Sequence, residues 1–388
     1  MHINCGQVGL LPTRIDPDDR KSLESVLQSA RDSIQISQVD WDNFEISWDF
    51  QTHPLLRTSY PRLTDAFNEW QDTAASAFAE LKRLEEENNR YWIDAYGLQD
   101  ELTPDVPDEQ ITIRRAELTR DVKSLISYAV GCMVGRYSLA APGLQFAGGT
   151  FDRAQFGGDF LPDPDGILPI TDEAYFEDDI VSRFVAFLRA AYGPAHLEEN
   201  LTFVADALVR KGGESAVARI RRYFVSEFVS DHIQTYKKRP IYWLFTSGKG
   251  RAFGALVYLH RYTPDTLSYL RNNYVLPLQS KLEAEIRSTE RALEIAGSGS
   301  AAKAAQKTLL KLREQVAELL AFHDRLLHKA DQRIDIDLDD GVAYNYTLFD
   351  GLLYTGPDMK LADLMKKSEW KRELLAQAPK VIVVEATT

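Results

Sequence analysis

At 388 residues, with 44% apolar and 11% aromatic side chains, the chain is long enough for two or three domains with buried cores. Its two cysteines, Cys5 and Cys132, lie in unrelated surroundings, which excludes a disulfide framework or a paired-cysteine zinc site and fits a reducing cytoplasm. A formal net charge of −13 repels phosphate over the whole molecule, so any nucleic-acid role must rest on a local patch. The opening MHINCGQVGLLPTR lacks the features of a signal peptide, and no apolar run is long enough to predict a membrane span.

Residues 1–60 read as a linker or incomplete domain, with a helix near Asp18–Ser37 followed by Trp41, Phe44, Trp48 and Phe50, aromatics expected to pack on a neighbour. Residues 61–140 read as hinge helices. The first runs from Pro61 to Tyr96, with Leu63, Phe67, Trp70, Ala74, Phe78, Leu81 and Leu84 at spacings of three and four. Glu85 to Asn89 imitate a metal-binding cluster, but consecutive helical residues splay around the axis, and a solvated face explains them better. The second helix, Arg114–Leu139, carries Gly131 and Gly135, spaced to let the first long helix approach closely, with Cys132 buried in that contact.

Residues 141–262 read as a small α+β domain. Its first part is a loop dense in glycine and proline, in which DPDG marks a turn, not a calcium loop. Helices are expected from Asp172 or Asp178 to Tyr192, near His196–Arg210 and over Ser215–Tyr236, then two strands, IYWLF and AFGALVYLHR, joined by the turn Thr246–Arg251. Residues 263–332 begin with Thr-Pro-Asp, a helix start, and form two arms broken by GSGSA, an antiparallel helical hairpin in which His323 is a spectator. Residues 333–388 form an acidic, strand-like tail in which Asp335, Asp337 and Asp339 alternate with apolar residues. The fold class expected is therefore mixed α/β and mostly α-helical: long hinge helices, a small α+β domain and a helical hairpin.

One stretch departs from the acidic background. Between Arg210 and Arg261 there are eleven Lys or Arg residues against Glu214, Glu227 and Asp231, a local balance of 11 − 3 = +8. Cations interleaved with tyrosines on a helix and a glycine-flanked turn suit phosphate and base-edge contacts. Arg221, Arg222, Tyr236, Lys237, Lys238, Arg239, Tyr242, Lys249, Arg251 and Arg261 are the candidate contacts to double-stranded DNA. The competing reading is that these bases only solvate the edges of an αββ unit. Gly248-Lys249-Gly250 lacks the spacing of a phosphate-binding P-loop. No catalytic grouping is found either. The sixteen prolines include no Pro-Pro pair, which the target-amine loop of an amino-group DNA methyltransferase requires, and no FxGxG turn is present.

Several segments nevertheless resemble one enzyme family. RLEEENNRYWIDAYGLQDELTPDVP, ISYAVGCMVGRYSL, FLPDPDGILPI, FEDDIVSRFVAFL, HLEENL, YKKRPIYWLF, ALVYLHRYTPDTL and IDLDDGVAYNY, spread in order over about residues 38–350, are similar to the C-terminal half of the PglX family. These are adenine-specific DNA methyltransferases of BREX phage-defence systems. The resemblance implies hinge helices and a target-recognition region. It further implies that the methyltransferase domain, with its S-adenosylmethionine, lies outside this chain, which alone is expected to be inactive and to hold no cofactor or metal. Implied partners are duplex DNA, the methyltransferase domain and other BREX proteins; charge complementarity adds a phage DNA-mimic inhibitor. No membrane partner is expected. The alternative reading is a scaffold that docks other BREX components through the helical hairpin.

Overall fold

A computed structural model describes residues 20–249, 251–357, 359–360 and 363. Cys5, the first residues of the helix expected from Asp18, and most of the tail beyond 360 lie outside the described residues. The chain divides into two compact units, 1–125 and 126–388. No helix among the described residues is long and apolar enough to cross a membrane.

In the first unit, α1 (Arg20–Trp41) lies along α2 (Leu63–Tyr96). The stripe predicted from spacing, Leu63 through Leu84, is buried. Phe78 and Leu81 join Val106, Ile111 and Ile113 of the returning segment in one apolar cluster. Trp70 donates its indole N–H to buried Asp121 at 2.9 Å, tying α2 to α3 (Leu118–Val134), the helix that crosses the division between the units. The aromatics after α1 do not all pack as expected. Phe50 is buried and Phe44 lies under the Arg114 guanidinium at 4.1 Å, but Trp41 is half exposed and Trp48 is 100% exposed. The segment is a succession of turns, so its side chains follow no single face.

The second unit is built on a three-stranded antiparallel sheet in the order β1 (Ile167–Ile170), β3 (Gly254–Tyr258), β2 (Tyr242–Thr246). The hairpin β2–β3 matches the two predicted strands, with Tyr242 opposite Tyr258 and Thr246 opposite Gly254. β1 falls within the stretch read as loop. Its four residues are buried, and Pro169 is tolerated because β1 is an edge strand. The other edge is covered by the tail: Thr246 N–H donates to Leu352 O at 2.9 Å and Tyr354 N–H to Leu244 O at 2.8 Å.

Around the sheet lie α4 (Ile180–Tyr192), α5 (Leu197–Ala207), α6 (Ala216–Ser226) and α7 (Phe228–Thr235). The single helix expected over Ser215–Tyr236 is thus two helices that meet at Glu227. The helix expected to reach Leu139 ends at Val134. A Cβ on Gly131 would stand 2.5 Å from the Tyr137 ring and 3.1 Å from the Tyr242 hydroxyl, so the close approach expected for a helix is made here by aromatic rings.

The hairpin is formed by α8 (Thr266–Leu270), a π-helical turn (Arg271–Val275), α9 (Leu276–Ala296) and α10 (Ser300–Ala330). With 31 residues, α10 is about 46 Å long at 1.5 Å per residue. Leu278 and Leu282 of one arm and Leu309, Leu312, Leu319 and Leu326 of the other are buried. His323 accepts a hydrogen bond from Arg271 at 2.9 Å. The tail differs from its strand-like prediction: residues 338–340 form a 3-10 turn and α11 (Val342–Thr347) is helical. The Asp337 carboxylate accepts the Asp339 N–H at 2.9 Å, which closes a turn where alternation suggested a strand.

Candidate nucleic-acid interface

The cations of the basic stretch separate into two classes. The arginines of α6 are engaged inside the protein, while Lys211, before it, is exposed and, among the described residues, forms no ion pair. Arg219 is 3% exposed; it donates to the Leu208 carbonyl and pairs with Glu227 at 2.8 and 3.0 Å. Arg221 grips Asp179 in a two-pronged pair at 2.7 and 2.8 Å. Arg222 does the same to Glu214 at 2.7 and 2.8 Å, which holds the Glu214 carboxyl down to about 2. Arg210 pairs with Asp206 at 2.9 Å. The local balance of +8 therefore overstates the free charge, since Asp179 and Asp206 come from outside the window.

Arg261 is also structural. Its guanidinium donates to the carbonyls of Asp163 (2.7 Å) and Pro164 (2.6 Å) and lies 3.7 Å over the Phe151 ring. Gly166 covers it closely: a Cβ there would stand 2.8 Å from the guanidinium carbon, and its φ of +74° disfavours any side chain. The Asp163 carboxylate closes the same turn by accepting the N–H groups of Asp165 and Gly166, both at 3.1 Å. Gly166→Ala is expected to cost about 1–3 kcal/mol, read as a lowered thermal midpoint.

Tyr242 is 1% exposed and its ring stacks on His232 at 4.6 Å; Tyr236 is half-buried, 4.6 Å from the same imidazole. Arg221, Arg222, Arg261 and Tyr242 thus leave the predicted contact set. Each resembles a contact residue in composition, but partners in the fold have claimed its polar group or its surface, Asp179 and Asp163 from far along the chain, Glu214 and His232 from nearby.

Apart from Lys211, which stands before α6, what remains exposed without an ion pair is Lys237, Lys238 and Arg239 after α7, and Lys249 and Arg251 in the β2–β3 turn. Among the described residues none of these five forms an ion pair within 4.0 Å, whereas Arg210, Arg219, Arg221 and Arg222 all do. Lys237 and Lys238 sit in the left-handed region, with φ of 50° and 64°, and Arg251 has φ of 56°. Such conformations cost non-glycine residues of order 1 kcal/mol or more and are held by surrounding bonds. Here Lys238 N–H donates to Ile233 O at 2.8 Å and Arg239 N–H to Tyr236 O at 2.9 Å. The lysines stand where glycine commonly ends a helix, near the negative end of its dipole.

His232 fixes this turn to the sheet. Its buried Nε2 accepts the N–H groups of Ile241 and Tyr242, both at 3.1 Å, which requires a neutral ring protonated on Nδ1. Burial, and then the charge of Arg136, push its pKa down to about 3 from the usual 6.5. The unfolded ring takes up its proton first, so this contribution is complete above pH 6.5 and is lost as pH falls towards 3. His232→Gln, which keeps an acceptor without a titrating ring, is expected to flatten the loss of thermal stability between about pH 6 and 4.

Lys249 and Arg251 open onto a groove of about 480 Å³, which also receives Arg325 from α10, the hydroxyls of Ser230 and Tyr354, and one acid, Asp350. Arg251 donates to the Ser226 hydroxyl at the end of α6. A groove with three cations and several hydroxyl donors can seat a phosphate and the sugar beside it. A second cavity, of about 560 Å³, lies over Arg261 and is walled by Phe146, Phe151, Tyr262 and Tyr269 with Asp165. No group of His, Cys, Asp and Glu among the described residues is arranged to hold a metal ion.

No protein-family profile matches the sequence. Two curated proteins do. Over 354 residues, 89% of this chain, it is 40% identical to the adenine-specific methyltransferase PglX of Lacticaseibacillus casei (strain Zhang). Over 84% of this chain it is 39% identical to the adenine-specific methyltransferase BrxX of Escherichia coli O9:H4 (strain HS). The match spans 29% of the length of each relative. This chain is thus similar, over most of its length, to part of the PglX and BrxX adenine-specific methyltransferases.

Proposed function

We propose that this chain is the DNA target-recognition portion of a BREX adenine-specific methyltransferase and binds duplex DNA through Lys237, Lys238, Arg239, Lys249 and Arg251. The observation behind this reading is the separation of cations. Internal acids neutralise the arginines of α6, while these five stay exposed and without ion pairs among the described residues, three of them on turns held in left-handed backbone. Geometry supports it further. The Lys237–Arg239 turn ends α7, and the groove of Lys249 and Arg251 meets the beginning of that helix at Val229 and Ser230. α7 itself, eight residues and about 12 Å long, runs from that groove to the Lys237–Arg239 turn. Phosphates would be anchored at both ends of α7.

Methyl transfer and S-adenosylmethionine belong, in this reading, to the remaining part of such a protein. A duplex-DNA column tests the reading: the unaltered chain should elute at higher salt than a Lys238→Glu, Arg251→Glu double variant. Coincident elution of folded proteins would contradict it. The second reading, a scaffold for other BREX proteins, is favoured by the hairpin's exposed apolar residues, Ile295 at 88% and Leu310 at 62%. It expects partners to co-purify and to be lost when the hairpin is deleted.

A further inference from the structure

The turn that bears Lys249 and Arg251 is not held by its own strands alone. Both of its ends are bonded to α10. Glu318 Oε1 accepts the Ser247 hydroxyl at 2.6 Å on one side and the Ala252 N–H at 3.1 Å on the other. Two turns further along α10, Arg325 donates to Ser247 O at 3.3 Å and to Gly351 O at 3.0 Å, reaching the tail segment that covers β2. Ser247 is 4% exposed, so these bonds form where a lost partner is not replaced by water.

A carboxylate at this place is unfavourable if the groove takes phosphate, because its field opposes the ligand. Its place between Ser247 and Ala252, beside three cations, fits a geometric task instead. We propose that Glu318 is a positioning residue for DNA binding: by fastening Ser247 and Ala252 it holds the left-handed turn in the form that points Lys249 and Arg251 at the duplex. The helical hairpin is then part of the recognition apparatus. This inference rests on the DNA-binding reading given above.

The sign of one substitution separates this role from plain electrostatics. Removing an acid near a phosphate site should tighten DNA binding; removing a clamp should loosen it. In fluorescence anisotropy with a labelled duplex, Glu318→Ala is expected to weaken affinity about tenfold and to lower the salt slope by about 1–2. Glu318→Gln keeps the same acceptor oxygen for both donors, so it should bind as tightly as the unaltered chain or slightly tighter. In a Lys249→Ala, Arg251→Ala background, Glu318→Ala should have little further effect. Ser247→Ala removes the other end of the clamp, together with the hydroxyl's bond from the Phe253 N–H at 2.9 Å, without touching charge, and should weaken binding in the same direction. Should Glu318→Ala prove too unstable to measure, the Ser247→Ala and Glu318→Gln pair carries the same comparison.

Equal or tighter binding by folded Glu318→Ala, or Gln as weak as Ala, would overturn the positioning role. If Lys249→Ala, Arg251→Ala itself leaves DNA affinity unchanged, the DNA-binding reading of this turn fails first.

Discussion

Replacing Lys237, Lys238, Arg239, Lys249 and Arg251 together by alanine is expected to lower affinity for duplex DNA by about 10²–10³ at moderate salt while leaving the fold intact. The fold should survive because these side chains are exposed and, among the described residues, form no ion pair. Each phosphate contact releases counterions, and the logarithm of the affinity changes by about 0.9 per contact for each decade of salt. Five contacts are therefore a large share of the binding of a single module. Substituting Arg221 and Arg222 in the same assay should give the opposite pattern, damaged stability with little specific loss of DNA binding per folded molecule. Their guanidinium groups are held by Asp179 and Glu214.

The largest stability effect is expected at Asp179. It is 0% exposed, caps α4 by accepting the N–H groups of Val181 and Ser182 at 3.1 Å, and holds Arg221 through both oxygens. Asp179→Ala leaves α4 uncapped and an arginine, 13% exposed, without its counter-charge. A broken buried pair costs about 3–5 kcal/mol and a lost cap about 0.5–2, terms that overlap and do not simply add. Against a typical total of about 5–15 kcal/mol, this removes much of the unit's stability. Chemical denaturation followed by circular dichroism measures it. An Asp179→Leu, Arg221→Met double variant should recover part of the loss, because it removes both charges. A single-variant loss below about 1 kcal/mol would show that the pair is not buried as described.

The difference between these two substitutions also shows what could be read in the sequence. The α2 stripe, the hairpin break at Gly297–Gly299 and the paired β2 and β3 strands follow from local periodicity and turn chemistry, and each stands where expected; in the α10 seam the leucines do, but Gln315 and Phe322 are buried where Val316 and His323 were expected. β1 was hidden because four residues containing Pro169 show no alternation, and only pairing with distant Val257 and Leu256 makes them a strand. The break at Glu227 was hidden for a related reason. Phe224 and Phe228 continue the helical spacing across it, and the accommodation of Arg219 against Glu227 is visible only in space.

The candidate site was half legible. Charge density marked the region correctly as the most basic part of an acidic chain. It could not tell Arg221 from Lys238, because the distinction lies in Asp179, which is 42 residues away in sequence. Glu318 and Arg325 lay outside the basic stretch altogether, on a helix whose seam explained it without them. The one signal that pointed beyond packing was Lys237-Lys238-Arg239 followed by Pro240, three cations just before a residue that ends a helix.

The central claim is that a protein carrying 58 acids against 45 bases binds a polyanion through one local surface. The most direct measurement is the affinity of the unaltered chain for a random-sequence duplex as a function of salt. Saturable binding at low salt, with a slope of log affinity against log salt of roughly −3 to −4.5, corresponds to between three and five phosphates engaged. A folded chain that fails to bind duplex DNA at low salt, or binds with a slope near zero, would contradict the account.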